Sequence, residues 1–366
     1  DEILQAYMED VGKHNPELFR SFHYGDKING FSSGIFSTMK LSDSEVLVCG
    51  GGYGRSETRI LRKGEDGLWN YDGNDIDGFD YYVRSTLKLS DDEVLVCGGS
   101  YVGEDNKTRI LRKGEDGLWN YDSNGINGFG DSIIETTLRL SDDEVLACGN
   151  FGEMRILRKD KDGLWSYDSN DIGGFDDTVF YHNVYSTLKL SDDEVLACGS
   201  FGDTCILHKG EDGSWNYDGD NIDGYHTNIS STLRLSDNEV LVCGDGKTRI
   251  LRKDEDGSWN YDGNNIGGFD NVVRSTLRLS NSEVLVCGFA GETRILRTGG
   301  DGSWNYDGDK IDGFYENIIS TTKLLDHEVL ACGANGETRI LHADIDIDLD
   351  KLKQKLPDIA AKKDEA

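Results

Sequence analysis

The chain has 366 residues with 69 acidic and 38 basic side chains, which gives a formal net charge of −31. This charge repels nucleic acid and anionic membrane surfaces at long range, so neither is expected as a partner. No apolar run approaches the ~18–20 residues that cross a bilayer, so membrane insertion is not expected. The hydrophobic fraction of 36% is enough for packed cores and too high for a disordered acidic polymer.

Glycine and proline usage indicates a chain of short strands and tight turns. There are 46 glycines but only two prolines, Pro16 and Pro357, one near each end. Glycine supplies the positive φ that hairpin turns need, whereas proline removes a donor from the strand ladder.

The first twenty residues are predicted to form a short helical extension. One face of that helix carries Ile3, Leu4, Tyr7, Met8 and Val11. We expect this face to pack on the main domain as a cap. The alternative is that it continues into a removed domain or contacts a partner.

A repeated string dominates the rest of the sequence. Leu-Ser-Asp-x-Glu-Val-Leu-(Val/Ala)-Cys-Gly, or a close variant, occurs seven times. In the second copy, four short segments rich in β-branched and aromatic residues follow one another: Ser85–Leu89, Glu93–Cys97, Thr108–Arg112 and Leu118–Tyr121. Turn residues separate these segments, so each copy predicts four β-strands.

Four strands in about 47 residues are the size of one propeller blade. A lone four-stranded sheet leaves two apolar faces uncovered, whereas radial packing of such sheets buries both. No segment shows the 3.6-residue period of a helical solenoid. We therefore predict an all-β fold, a seven-bladed β-propeller of four-stranded antiparallel blades. Ser-Thr-Leu-Lys-Leu is the innermost strand and Trp-Asn-Tyr the outermost.

The two ends of the repeat region are predicted to share one blade. The last copy loses its Trp-x-Tyr strand after Thr338–Leu341. Phe22–Tyr24, followed by Ile28–Phe31, matches the missing segment. We expect Phe22–Tyr24 to be the outer strand that closes the ring and leaves no open edge. Asp344–Asp348 is the competing candidate.

The far end of the chain is predicted to be a second extension. Leu349, Leu352 and Leu356 lie on one face of a possible short helix, and Lys362–Ala366 is expected to be disordered. The expected organisation is thus an N-terminal extension over residues 1–20, the propeller over 21–343, and a C-terminal extension over 344–366.

The repeat resembles known propeller families. Gly244–Trp259 reads Gly-Asp-Gly-Lys-Thr-Arg-Ile-Leu-Arg-Lys-Asp-Glu-Asp-Gly-Ser-Trp. It resembles the Asp-box, or neuraminidase-type, repeats, in which an Asp-Gly turn joins the third and fourth strands and a Trp follows. The family's Ser or Thr at the start of the box is absent here. The strand end Val-Leu-Val-Cys-Gly-Gly is similar to kelch repeats, and the likeness to WD repeats is more distant. The resemblance implies a fold rather than a function.

Seven of the eight cysteines stand at one position, in the second strand of each copy. Equivalent positions in neighbouring blades lie roughly 10 Å apart, beyond the ~7 Å that a disulfide spans. We therefore expect buried, reduced core cysteines. The eighth, Cys205, replaces the Arg of Thr-Arg-Ile-Leu and is expected to react only if exposed. Unpaired thiols predict a reducing, cytoplasmic compartment. Near-identical blades also suggest a protein that bacteria deliver into host cells.

The Asp/Asn-rich loop that ends each copy, such as Asp72–Gly78, raises the question of calcium. Calcium loops need carboxylates at fixed alternate positions. The residue before the repeated Ile changes among Lys, Asp, Gly and Asn, whereas Ile-x-Gly-(Phe/Tyr) recurs. We predict a structural turn, with an occasional calcium site as the alternative, and no metal or cofactor.

Catalysis is the remaining alternative, because the Asp-box resemblance includes sialidases. By that resemblance an enzyme would need an arginine triad, a Tyr/Glu nucleophile pair and an Asp that acts as the acid, all at the centre of the propeller. The Arg of Thr-Arg-Ile-Leu recurs in all blades but one, which is typical of a structural residue. No catalytic constellation is found, so we expect a non-enzyme. The inner Lys/Arg of each copy is expected to pair across its hairpin, as Lys88 with Glu93, rather than to hold an anion.

Function is sought where the copies differ. The hairpin after Cys-Gly and the stretch after Ile-x-Gly-Phe both vary, and both connections emerge on the same rim of a propeller. The longest insertion is Asp176–Tyr185. The candidate partner-binding residues on this face are Tyr53, Arg55, Tyr81, Tyr82, Arg84, Tyr101, Phe151, Phe180, Tyr181, His182, Tyr185, Phe201, Tyr225, His226, Phe289 and Tyr315.

Exposed aromatic residues on a polar rim are typical anchors of protein interfaces. We therefore predict a non-catalytic protein–protein interaction scaffold, expected as a monomer, that binds a protein partner through its loop-rich face. The alternative is a lectin-like glycan-binding propeller, which should present the same pocket in every blade. A sialidase-like glycoside hydrolase is the least favoured function.

Overall fold

The computed structural model describes residues 21–52, 55–73, 75–79, 82–99, 108–129, 132–169, 171–172, 182–217, 219 and 221–344. These residues form seven four-stranded antiparallel sheets, as predicted. The helices predicted for the two extensions lie outside the described residues. Within the described part of the chain, no helix is long and apolar enough to cross a bilayer.

Blades 1 to 6 take their strands in chain order from the axis outward. Blade 1 contains β2 (Gly34–Ser42), β3 (Glu45–Gly52), β4 (Arg55–Lys63) and β5 (Trp69–Tyr71); blade 2 contains β6 (Tyr82–Lys88), β7 (Glu93–Gly99), β8 (Thr108–Lys113) and β9 (Trp119–Tyr121). Blade 3 contains β10 (Ile134–Arg139), β11 (Glu144–Gly149), β12 (Met154–Lys159) and β13 (Trp165–Tyr167); blade 4 contains β14 (Val184–Lys189), β15 (Glu194–Gly199), β16 (Thr204–Lys209) and β17 (Trp215–Tyr217). Blade 5 contains β18 (Ile229–Ser236), β19 (Glu239–Gly244), β20 (Thr248–Lys253) and β21 (Trp259–Tyr261); blade 6 contains β22 (Val273–Arg278), β23 (Glu283–Gly288), β24 (Thr293–Thr298) and β25 (Trp304–Asp307).

Blade 7 joins the two ends of the described chain. Its strands are β26 (Ile318–Leu325), β27 (Glu328–Gly333), β28 (Thr338–Asp344) and the outermost β1 (Ser21–Tyr24). β1 pairs antiparallel with β28, from Ser21 opposite Asp344 to Tyr24 opposite Leu341. β2 in turn contacts β26, so the ring of inner strands is closed. Phe22–Tyr24 therefore takes the outer position that the sequence assigned to it.

The hydrophobic core is divided into seven clusters, one between each pair of neighbouring blades. In β3, Leu47 packs with Val94 and Val96 of blade 2. Val48, on the other face of β3, packs with Leu330 of blade 7. Because successive residues of a strand point to opposite faces, each second strand is apolar on both sides. This explains the unbroken Glu-Val-Leu-Val-Cys runs.

The cysteines belong to these clusters. All eight are buried, including Cys205, which lies in the cluster between blades 3 and 4. Burial raises the pKa of Cys49 to about 12, so its thiol stays protonated at neutral pH. The expectation of buried core cysteines is confirmed.

Polar contacts also join neighbouring blades. The hydroxyl of Tyr121 in β9 lies 3.0 Å from Thr58 Oγ1 of blade 1, and the Tyr24 hydroxyl lies 2.9 Å from Thr293 Oγ1 of blade 6. At the outer side, Lys113 Nζ lies 2.9 Å from Glu45 Oε2 of the preceding blade. Such contacts add directional polar links between neighbouring blades to the packing of the apolar clusters.

Candidate functional site

Two kinds of connection meet on one rim of the propeller, as predicted from topology. In blade 3 the backbone N–H of Asn150, after the second strand, donates to the carbonyl of Ile133, just before the first strand, at 3.1 Å. The N–H of Asp245 in blade 5 donates to Asn228 in the same way at 3.0 Å. We call this rim, formed by the connections between second and third strands and those that enter the first strand, the loop face.

Short 3-10 turns form part of the loop face in four blades. They span Asn150–Gly152, Ser200–Gly202, Phe289–Gly291 and Ala334–Gly336. The middle residue of each turn has a left-handed backbone with φ between 53° and 59°. In blades 3 and 4 this residue is Phe151 or Phe201, and these rings are 51% and 61% exposed. The loop face therefore displays two aromatic rings from adjacent blades at its turn tips.

Side chains of the next blade hold these two tips in place. The N–H of Phe151 donates to Asn183 Oδ1 at 3.3 Å, and that of Phe201 donates to Asn228 Oδ1 at 3.1 Å. The His182 ring lies 5.4 Å from the Phe201 ring, and its Nδ1 is hydrogen-bonded to Asp203. The tips are thus anchored at the backbone, while the rings remain exposed.

A second feature of the loop face lies nearer the axis. In every blade the pairing of first and second strands shifts by one residue near the start of the first strand. This is a β-bulge, a device that re-aims a side chain and is frequent beside functional sites. The seven residues at this position, which we call the bulge ring, are Phe36, Arg84, Glu135, Tyr185, Ser230, Arg274 and Ile319. The ring surrounds the axis, because it lies on the innermost strands, and its chemistry differs from blade to blade.

Members of the bulge ring touch one another across blades 1 to 3. The Arg84 guanidinium lies 4.3 Å from the centre of the Phe36 ring and 5.3 Å from that of Tyr82. Arg84 Nε also lies 3.8 Å from Glu135 Oε2. Burial raises the pKa of Glu135, although the Arg84 charge acts in the opposite direction. Blade 4 continues the ring with Tyr185, whose hydroxyl accepts a hydrogen bond from Asn183 at 3.0 Å.

The repeated arginine of Thr-Arg-Ile-Leu has a structural partner. Arg59 Nε lies 2.8 Å from Oε1 of buried Glu57, two residues earlier. Burial pushes the pKa of Glu57 up, but hydrogen bonds from Ser32 and Arg59 outweigh it and leave that pKa lowered. The pair recurs in blades 3, 6 and 7. In blade 4 Cys205 stands in place of the arginine and is fully buried, so it is not an exposed reactive thiol.

The predicted partner-binding residues differ in whether the structure describes them and in how exposed they are. Tyr53, Tyr81, Tyr101, Phe180 and Tyr181 lie outside the described residues. Phe289 and Tyr315 are exposed on the loop face, with 47% and 78% of their surface accessible.

The remaining predicted residues on this face differ in their surroundings. Arg55 is exposed, with its Nη2 3.5 Å from Asp75 Oδ2, and His226 is exposed beside Tyr225. Tyr225 itself is only 2% exposed and belongs to the core between blades 4 and 5. It is the framework aromatic of Ile-x-Gly-(Phe/Tyr), so its placement among accessible residues was wrong.

The prediction that Lys88 pairs with Glu93 is also wrong. Lys88 lies opposite Val94 in the ladder, and its Nζ lies 2.8 Å from Asp91 Oδ1 and donates to the carbonyl of Leu41 in blade 1 at 3.1 Å. Glu93 instead pairs with Arg112 at 2.8 Å. Because the register places Val94 rather than Glu93 opposite Lys88, the Lys88 and Glu93 side chains lie on opposite faces of the hairpin, and Lys88 instead contacts the preceding blade.

The Asp/Asn-rich loops have a structural role in the described blades. Oδ1 of Asp75, just before the repeated Ile, accepts the N–H of Thr58 at 2.7 Å. Asn265 does the same for Thr248 at 2.8 Å, so a neutral amide serves as well as a carboxylate. Among the residues that the structure describes, no group of three or more His, Cys, Asp or Glu side chains is arranged to hold a metal ion.

Comparisons with known proteins support the fold alone. No protein-family model matches the chain, and no curated protein matches its sequence. The chain is similar to a solved WD40 β-propeller domain of Doa1, with a TM-score of 0.67 and 13% identity over 89% of this chain and 98% of that one. It is also similar to YCF48 bound to D1 peptide, with a TM-score of 0.60 and 15% identity over 88% of this chain and 95% of that one. The likeness to WD repeats is thus one of fold.

Proposed function

We propose that this propeller is a non-catalytic interaction scaffold that binds a protein partner through the loop face. The observation that carries the proposal is the pair of exposed phenylalanines at left-handed turn positions in blades 3 and 4. The footprint would extend from these two tips to the Phe36, Tyr82 and Arg84 cluster of the bulge ring.

The backbone conformation makes the two phenylalanines costly for the fold. A left-handed backbone disfavours a residue with a Cβ by about 1–2 kcal/mol. Asn, which tolerates this conformation better, occupies the same position in blade 7 as Asn335, with φ 55°. Blades 3 and 4 therefore carry an aromatic ring where the turn prefers another residue and where most of the ring is not buried. Binding to a partner explains both features, because aromatic residues dominate interface hot spots.

The partner is expected to be a protein with a basic surface. A net charge of −31 steers cationic molecules toward the propeller and repels anionic ones. Among the solved structures to which this chain is similar, YCF48 is described as bound to D1 peptide, which is consistent with peptide or protein binding on such a scaffold. Association should therefore slow as salt concentration rises.

The same proposal includes a reducing, cytoplasmic location and a monomeric state. The support for the location is the set of eight cysteines, which contribute to packing as free thiols. Delivery into a host cell would satisfy the same requirement, because the host cytosol is also reducing. Fractionation of cells that express the tagged protein, followed by sedimentation of the purified protein, tests both statements.

The test is capture and crosslinking of partners by wild-type protein and by Phe151→Asn/Phe201→Asn. The variant should weaken binding at least about 30-fold, since a hot-spot residue contributes about 2 kcal/mol or more. Leu164→Ser is the matched control, because it removes an exposed apolar side chain from blade 3 away from the loop face. Equal capture by wild type and the double variant would refute the proposal.

A further inference from the structure

The outer side of the propeller carries a cavity that recurs between neighbouring blades. In the described part of the chain its volume is about 370 Å³ between blades 1 and 2, 480 Å³ between blades 2 and 3, 430 Å³ between blades 3 and 4, and 450 Å³ between blades 7 and 1. Each cavity is lined by the third strand of one blade and by the Trp strand of the next. We call these the rim cavities; they lie on the outer side of the propeller and not on the loop face. Their size is in the lower range of small-ligand sites.

One wall of a rim cavity is apolar. Between blades 1 and 2 it is formed by Leu118 and Trp119, and between blades 2 and 3 by Leu164 and Trp165. Leu118 and Leu164 are 54% and 67% exposed, although leucine is usually buried. The two cavities therefore share an exposed leucine, which gives each of them an apolar surface that a ligand could contact.

The opposite wall is polar and offers both donors and acceptors. Arg112 Nε lies 3.0 Å from Asp122 Oδ2 at the cavity between blades 2 and 3. Arg62 and Asp72 form the same pair at 3.2 Å between blades 1 and 2. Arginine presents a fixed fork of donors and aspartate presents acceptors, so together they suit groups that both donate and accept.

The tryptophans carry an unused hydrogen-bond donor. Nε1 of Trp69, Trp119, Trp165, Trp215 and Trp259 is buried and has no hydrogen-bond partner within the described residues. A buried indole N–H normally has a partner, because leaving it unpaired costs free energy. Four of these tryptophans line the rim cavities with other parts of their side chains, so their indole resonances can report on the cavities although the Nε1 atoms themselves are not exposed.

From these features we infer that the rim cavities bind a neutral saccharide. A sugar ring has one apolar face of C–H groups, which matches the exposed leucine of the apolar wall, and a rim of hydroxyls that donate and accept, which matches the Arg-Asp wall. The protein's charge of −31 disfavours anionic ligands, and no metal-binding group was found among the described residues. The site lies away from the loop face and does not depend on the proposed protein partner.

The rim cavities differ in their lining residues, and this difference predicts a ranking of their affinities for a sugar. The cavities between blades 1 and 2 and between blades 2 and 3 contain both the leucine and the Arg-Asp pair. Between blades 3 and 4, Ser214 replaces the leucine, and between blades 7 and 1, His342 lines the cavity where the others have arginine. Each cavity should bind a single sugar weakly, and several together should bind a sugar-coated surface about 100-fold or more tightly.

The test is an NMR titration of ¹⁵N-labelled protein, in which the six tryptophans give six indole N–H resonances. The ligands are the methyl glycosides of glucose, galactose, mannose, N-acetylglucosamine and N-acetylgalactosamine. At least one glycoside should shift the Trp119 and Trp165 resonances together. Leu118→Ser/Leu164→Ser should weaken these two responses about tenfold, as expected for loss of an apolar contact of this size, without changing that of Trp215.

Two results would overturn the inference. One is the absence of any indole shift at about 50 mM of every glycoside, a concentration that detects even very weak binding. The other is an undiminished Trp119 and Trp165 response in the double leucine variant. Phe151→Asn/Phe201→Asn separates the two proposals, because it should retain the indole shifts and lose the protein partner.

Discussion

Ring closure can be tested at a single glycine. Gly336 ends the 3-10 turn of blade 7 with φ +69°, and a Cβ added there would lie 2.2 Å from the carbonyl oxygen of Phe31 in blade 1. Gly246 in blade 5 has nearly the same φ, +65°, but a Cβ there would have no atom within 4 Å. Gly336→Ala and Gly246→Ala therefore share the backbone strain and differ in the contact between blades 7 and 1.

The free-energy cost of the strained backbone can be separated from that of the close contact with Phe31. A left-handed alanine costs about 1–2 kcal/mol, of which about 0.4–1 kcal/mol is recovered from the less flexible unfolded chain. Gly246→Ala should thus lower the free energy of unfolding by about 1 kcal/mol. In Gly336→Ala the Phe31 carbonyl must also move by about 1 Å in a close-packed interface, which adds about 1–3 kcal/mol. The difference between the two variants should be about 2 kcal/mol.

Urea unfolding followed by tryptophan fluorescence measures this difference, since the midpoint shifts in proportion to the free energy. Trp69 lies in the cluster between blades 7 and 1 and reports on the interface that changes. If Gly336→Ala is no less stable than Gly246→Ala, the close contact between blades 7 and 1 does not limit the fold, and the reasoning fails.

Three further predictions concern the framework and the bulge ring. Burial raises the pKa of Glu135, so the folded state loses stability as pH rises from the ordinary glutamate value of about 4.3 through the raised value. Glu135→Gln should therefore be more stable than wild type at pH 7 and equal to it near pH 4. A stabilisation that persists at low pH would contradict this expectation. Thr298 occupies the position where five other blades have a lysine facing a glutamate of the preceding blade. Thr298→Lys should raise the free energy of unfolding by about 0.5 kcal/mol, and high salt should remove this effect. A salt-independent change would argue against an ion pair. The eight buried cysteines should not react with a thiol reagent such as DTNB at pH 8 in the native protein and should all react in denaturant; rapid native labelling would show that the interfaces between blades open readily.

Much of the architecture could be predicted because each repeat carries its own strand and turn signals. The segment Ser85–Leu89 followed by Glu93–Cys97 predicts a hairpin from its residues alone, and both strands form as expected. The outer position of Phe22–Tyr24 also followed from sequence, because its pattern matches a strand that the last repeat lacks. Repetition made these predictions robust, since seven copies point to one structure.

The candidate site was harder to predict because it depends on departures from regular geometry. A bulge adds one residue to a strand and breaks the alternation that tells which face a side chain occupies. Arg84 and Tyr185 were selected as variable residues, but Phe36 and Glu135 were missed, since regular alternation gives no sign that all four share a ring. The left-handed turns that display Phe151 and Phe201 have a weak signal in sequence, the Gly that follows each phenylalanine. The rim cavities combine residues from two blades, so no single repeat reveals them.

The pairing of β1 with β28 has a consequence for synthesis on the ribosome. Ser21 cannot pair with Asp344 until that residue has been synthesised, 323 residues later. At ordinary translation rates this takes roughly 15–65 s. During that interval the nascent chain has unpaired strand edges at which another polypeptide could add. We therefore expect a greater need for chaperones during translation than for a protein whose first strand pairs with its second.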